Sequence, residues 1–156
     1  METQAIEIIE TEVVLEKAMS LNHSRLIHLI SVALLPYEDQ YDILPELEFE
    51  LSAGRLKPNV AILPRLTYDW EADIIRFPNP PISAIEIISP TQSFDSLVTK
   101  VRNFYFPSGV QSAWLVLPAA RTIFLYLPGQ PAAIVSSGTL HDPVSGVELE
   151  MSAIFR

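Results

Sequence analysis

Residues 84–100 read AIEIISPTQSFDSLVTK. The first part is an apolar strand pattern, Ile82 to Ile88, interrupted by one carboxylate, Glu86. A Ser-Pro break follows at Ser89 and Pro90, and a helical pattern then carries Lys100. A strand with so few polar residues belongs in the middle of a sheet, covered on both faces. Ile82, Ala84, Glu86 and Ile88 share one of those faces, because side chains alternate along a strand. A carboxylate there is costly unless it is paired or bound to a metal. The plainer reading, a Glu near the strand end that reaches solvent or an arginine, stands beside the functional one on equal terms.

The helix after the break is expected over Phe94 to Tyr105. Ser93 supplies an N-cap and Asp95 lies in the first turn, where the helix dipole favours an acid. Phe94, Leu97, Val98, Val101 and Tyr105 form its apolar face. At about 100° per residue, Lys100 sits about 100° from the centre of that face, at its border. From there the stem can run along the sheet and bring the ammonium toward Glu86. An ordinary solvated lysine is the commoner outcome for such a position.

Working outward, residues 22–35 (NHSRLIHLISVALL) predict a helix capped by Asn22 and ended by Pro36. Ile43 to Leu51 alternates, with Leu47, Phe49 and Leu51 on one side and Glu46, Glu48 and Glu50 on the other. Ser52 to Gly54 reads as a turn and Leu56 to Leu63 as the returning strand of a hairpin. Lys57, Asn59, Ala61 and Leu63 share a face; an Asn after a proline at a strand entry is ordinarily a turn residue. Residues 64–81 form a long loop with Tyr68, Trp70 and Phe77, functional or a packing lid. Ala113 to Leu117 and Thr122 to Leu127 predict a second hairpin through 118–121. Short strands around SSG and DPVSG fill 132–155. The order predicts an α/β protein of the mixed α+β kind, a mixed sheet flanked by helices.

Composition narrows the chemistry. The chain has 156 residues, 49% hydrophobic, enough for one domain with a substantial core. Its longest apolar run, LIHLISVALL, is too short to span a membrane. The acidic start METQAIEIIETEVVLEK lacks the basic region and cleavage site of a signal peptide, so a cytoplasmic location is expected. There is no cysteine, which excludes disulfides, thiolate nucleophiles and zinc ribbons. The net charge of −9 disfavours general DNA binding, because phosphate neutralisation drives that affinity. No phosphate-binding glycine loop, GxSxG elbow or HExxH pair is present. His23 and His28, five apart, are poorly placed to share one helical face and are expected as surface or packing residues.

Taken together, NHSRLIHLI, LPELEFEL, KPNVAILP, AIEIISPTQSFDSLVTK, YFPSGVQSAWLVLP and LHDPVSG resemble the Uma2 family, the bacterial DUF820 group, nearest its cyanobacterial branch. The resemblance runs over about residues 22–155 of a single domain, leaving 1–21 as an N-terminal extension. That family is similar to PD-(D/E)xK nucleases with the restriction-endonuclease-like fold. The resemblance implies a Mg²⁺- or Mn²⁺-dependent endonuclease, a DNA substrate and a homodimer. Glu86 maps to the family's strand Glu, Lys100 to its helix Lys, and Glu46 to a further acidic position; Glu86, Asn59 and Glu46 would be the metal ligands, and Glu86, Lys100 and Asn59 the catalytic set. Two positions depart from the pattern. Asn59 stands where an Asp is expected, and Leu117 stands where many relatives carry an Asp before the proline. An amide brings no charge, so metal binding should be weak. The implied function is a weakened metal-dependent endonuclease, with a catalytically inactive binding or assembly module as the alternative.

Overall fold

The computed structural model describes residues 19–156. The acidic segment read as lacking a signal peptide lies outside the described residues. A 14-residue helix, α1 (Leu21–Leu34), opens the described chain. Ser20, not Asn22, caps it: its backbone is extended and its side chain accepts the His23 N–H. Both residue types cap well, and the chain enters the helix two residues earlier than the sequence suggests.

The sheet is built from β1 (Tyr41–Pro45), β4 (Val60–Pro64), β5 (Ser83–Ile87), β6 (Ser112–Leu117), β7 (Thr122–Tyr126) and β8 (Ala133–Val135), in that spatial order. Only β5 and β6 run parallel; the other neighbours are antiparallel. The strand expected at 82–88 is therefore central, and all five residues of β5 are buried. Two small hairpins lie outside this sheet: β2 (Phe49–Leu51) with β3 (Gly54–Leu56), and β9 (Thr139–His141) with β10 (Glu148–Glu150).

The single hairpin expected over 43–63 is corrected. Its strands each break once, giving β1 and β2 on one side and β3 and β4 on the other. Glu46 turns the first strand with φ 57°, a left-handed conformation that an L-residue adopts at a cost. Pro58, which has no N–H to pair, sits at the second break. The Glu46 N–H donates to the Asn59 carbonyl at 3.1 Å, so the two breaks are tied to each other.

The alternation of β4 and β5 divides the core. Val60, Ile62, Ile85 and Ile87 face α1, with Leu26, Ile30 and Leu34 packed on them. Ala61, Leu63 and Ala84 face the opposite side, under Leu97, Val101 and Tyr105. That second cover is α2 (Phe94–Lys100), capped by Ser93 as expected. The helix expected to continue to Tyr105 instead widens into a π-helical turn over Val101–Tyr105, and the Phe106 N–H reaches the Val101 carbonyl, five residues back. The apolar spacing of Leu97, Val101 and Tyr105 fits both forms, so the widening carries no sequence signal of its own.

Candidate active-site cleft

Glu86 lies near the C-terminal end of β5, on the face covered by α2. Its carboxylate is 4% exposed by residue, which requires donors. Two converge on one oxygen. Lys100 Nζ donates to Oε1 at 2.9 Å, and the Tyr105 hydroxyl donates to the same atom. In an ideal α-helix, residues five apart would point about 140° away from each other. The π-helical turn brings residues five apart onto one side, and such turns recur at functional sites. This local widening lets Lys100 and Tyr105 meet at one carboxylate oxygen. The Tyr105 phenol is held protonated: burial raises its pKa well above the ordinary value, and the adjacent Glu86 charge and hydrogen bond add to that.

Asn59 sits between β3 and β4, on the cleft side of the sheet. Its Oδ1 accepts the Ile87 N–H at 2.7 Å, and its Nδ2 donates to Glu46 Oε1 at 3.1 Å. The first bond fixes the second, since a flipped amide would set N–H against N–H. Lys57 Nζ approaches the other Glu46 oxygen at 3.6 Å. The two carboxylates are thus each met by an ammonium and a second donor from this chain.

These groups line one cleft of about 910 Å³, with Glu48, Ser89, Gln92, His23 and Met19 around them. Glu86, Lys100, Asn59 and Glu46, the residues expected from the sequence, all reach it. Lys57 lines it as well, and Tyr105 is fully buried behind Glu86; the sequence assigns neither to a site. A tyrosine on a buried helix face needs an acceptor for its hydroxyl, which was the available signal for Tyr105. Glu48 is paired with Arg76 at 3.3 Å and Glu50 with Arg55 at 3.8 Å. Leu117 ends β6 half-buried against the α2 side of the core. The long loop is held at its start by Asp42, which accepts from the Leu66 N–H and the Tyr68 hydroxyl. It is held at its end by Phe77, edge-on to Phe49.

Among the described residues, no group of three His, Cys, Asp or Glu side chains stands ready for a metal ion. Glu86 Oε2 is not engaged by the two donors on Oε1, and Glu46 Oε2 has only the loose Lys57 contact. Two carboxylates with free lone pairs fit a hard divalent cation that keeps several waters. The amide of Asn59 brings no charge to them; its oxygen accepts the Ile87 N–H and its nitrogen is turned toward Glu46.

The model of the Uma2 family, described as "Putative restriction endonuclease", matches residues 1–153. A crystal structure described as "a putative nuclease belonging to DUF820" from Anabaena variabilis superposes with a TM-score of 0.69 at 24% identity, covering 87% of this chain and 81% of that one. That likeness supports the mixed-sheet fold. None of the curated proteins matches. No helix among the described residues is long and apolar enough to cross a membrane.

Proposed function

This chain belongs to the Uma2 family, and we propose that it is a phosphodiesterase of the endonuclease type, acting on DNA through the Glu86–Lys100 cleft with a weakened Mg²⁺ or Mn²⁺ site. The observation that carries this reading is the convergence of Lys100 and Tyr105 on one oxygen of a buried Glu86, beside Glu46 in an open cleft. A buried carboxylate with one oxygen saturated and the other free is arranged to hold something at the free one.

In this reading Glu86 and Glu46 hold the cation. A divalent ion bound there would activate water and offset charge on the scissile phosphate. Lys100 anchors Glu86 in the resting protein and presents its remaining N–H groups toward a phosphate oxygen, where a cation stabilises developing charge. Tyr105 fixes the Glu86 rotamer from beneath. We place the protein in the cytoplasm, and take a homodimer as the assembly to test by light scattering.

A second reading is a nuclease-fold module that binds without hydrolysis. The Asn59 amide favours it, since an N–H donor occupies the place of a carboxylate oxygen; so does the net charge of −9. Plasmid cleavage at low salt with Mn²⁺, comparing wild type, Asn59→Asp and Glu86→Gln, separates the two. Cleavage by Asn59→Asp that Glu86→Gln abolishes in the same background supports the enzyme. Mn²⁺ binding by Asn59→Asp with no cleavage by any variant leaves the module.

A further inference from the structure

Glu46 is a carboxylate without a buried partner of its own strand; what neutralises it comes from the next break in the chain. Asn59 Nδ2 donates to Oε1 and the Lys57 ammonium lies 3.6 Å from Oε2. The two donors are not equivalent. The Asn59 amide is 9% exposed and locked by the Ile87 N–H. The Lys57 side chain is 56% exposed, and its contact is too long for a hydrogen bond, so it is free to leave. We propose that Lys57 is an exchangeable internal cation that competes with a divalent ion for Glu46. This rests on the divalent-cation site of the reading above and names the residue that regulates it.

The physical ground is charge. A divalent ion at Glu46 must share the carboxylate with a fixed positive charge or displace it. An exposed ammonium moves at little cost, because solvent screening leaves an exposed ion pair weak. While it stays, its charge repels the incoming cation. Lys100 does not play the same part at Glu86: its bond is 2.9 Å and it sits on Oε1 beside the Tyr105 hydroxyl, away from the oxygen left to the cleft. Ion entry is therefore set at the Glu46 end of the cleft. Once displaced, the Lys57 ammonium stands at the cleft rim.

The test measures Mn²⁺ binding to the whole protein by electron paramagnetic resonance of the free ion. It compares Lys57→Met and Lys57→Arg, each in the wild-type and Asn59→Asp backgrounds. Lys57→Met should tighten binding by about three- to tenfold, the range expected for removing one exposed competing charge near a divalent ion. Lys57→Arg should stay within about twofold of its parent, since the charge is kept. Melts in EDTA check that every variant is folded. Equal Mn²⁺ affinity for the Met and Arg variants, in a background that binds the ion, would overturn the competition and leave the metal site standing. Absence of Mn²⁺ binding in all variants would overturn the competition and the metal site together.

Discussion

Asn59 turns its amide nitrogen, not its oxygen, toward Glu46, at 3.1 Å. The orientation is imposed from the other side, where the Ile87 N–H requires an acceptor. An aspartate at 59 would keep the bond to Ile87 with one oxygen and set the other against the Glu46 carboxylate. Asn59→Asp should therefore lower stability by about 1–3 kcal/mol in EDTA, where like carboxylates crowd and one takes up a proton. A divalent ion should reverse the loss, by about 2.7 kcal/mol at a hundredfold excess over Kd. Thermal melts of both proteins, with EDTA and with Mn²⁺, check this; identical metal responses would mean that position 59 does not border a cation site.

Lys100 and Glu86 share a 2.9 Å bond, with the Glu86 side chain 5% exposed and the Lys100 side chain 30% exposed. Lys100→Met leaves a buried carboxylate with Tyr105 as its remaining donor. The expected cost is about 1–3 kcal/mol, below that of a fully buried pair because the lysine end is partly wet. Replacing both at once, Glu86→Gln with Lys100→Met, should cost less than the two single changes added, since no unpaired charge remains. Urea unfolding of the four proteins gives the coupling; strict additivity would show that the two groups do not stabilise each other.

Asp142 is the other buried carboxylate among the described residues, fully enclosed, and it serves the opposite end of β5 and β6. Its Oδ2 accepts from Ser112 at 2.6 Å, Trp114 Nε1 at 2.9 Å and Ser83 at 3.1 Å, and its Oδ1 accepts the Val144 N–H at 2.9 Å. This fastens the turn between β9 and β10 to the two central strands. Asp142→Ala strands the indole N–H and should cost about 3–5 kcal/mol. An unfolding free energy from urea titration within about 1 kcal/mol of wild type would mean that the hairpin is held by its apolar contacts instead, Leu140 and Leu149 among them.

The central strand and the cover helix were legible because their signals are local. A near-continuous apolar run can be buried only between neighbours, and Ser93 marks its helix start in one residue. The features that shape the cleft are not local. The alternation of Glu46, Leu47, Glu48 and Phe49 runs unbroken across the gap between β1 and β2, so the pattern hides the turn. The widening after Lys100 uses apolar residues four apart, as an α-helix does. The direction of the Asn59 amide depends on an N–H from another strand. Glu86, Lys100, Asn59 and Glu46 could be named from the chain, whereas Lys57 enters through geometry alone and Tyr105 carries only the general need of a buried phenol for an acceptor.

Tyr105 offers a pH test of that geometry. Burial first, then the Glu86 charge and hydrogen bond, raise its pKa well above the ordinary tyrosine value of about 10. In the unfolded chain the phenol ionises near that ordinary value, while in the folded protein it stays protonated to higher pH. Above about pH 10 the folded state thus binds more protons than the unfolded one, and stability falls as pH rises. Below that pH both states are protonated, and the contribution is fully present. Tyr105→Phe keeps the ring in its packed place and removes the titrating group. It should cost about 1.5–3 kcal/mol at neutral pH, as expected for a hydrogen bond to a charged acceptor. Its stability should then decline less steeply than that of wild type between about pH 10 and 11.5. Urea midpoints measured at half-unit pH steps resolve the two slopes. Parallel curves for the two proteins would show that the phenol ionises alike in both states, and the Tyr105–Glu86 bond would then have no part in holding the carboxylate.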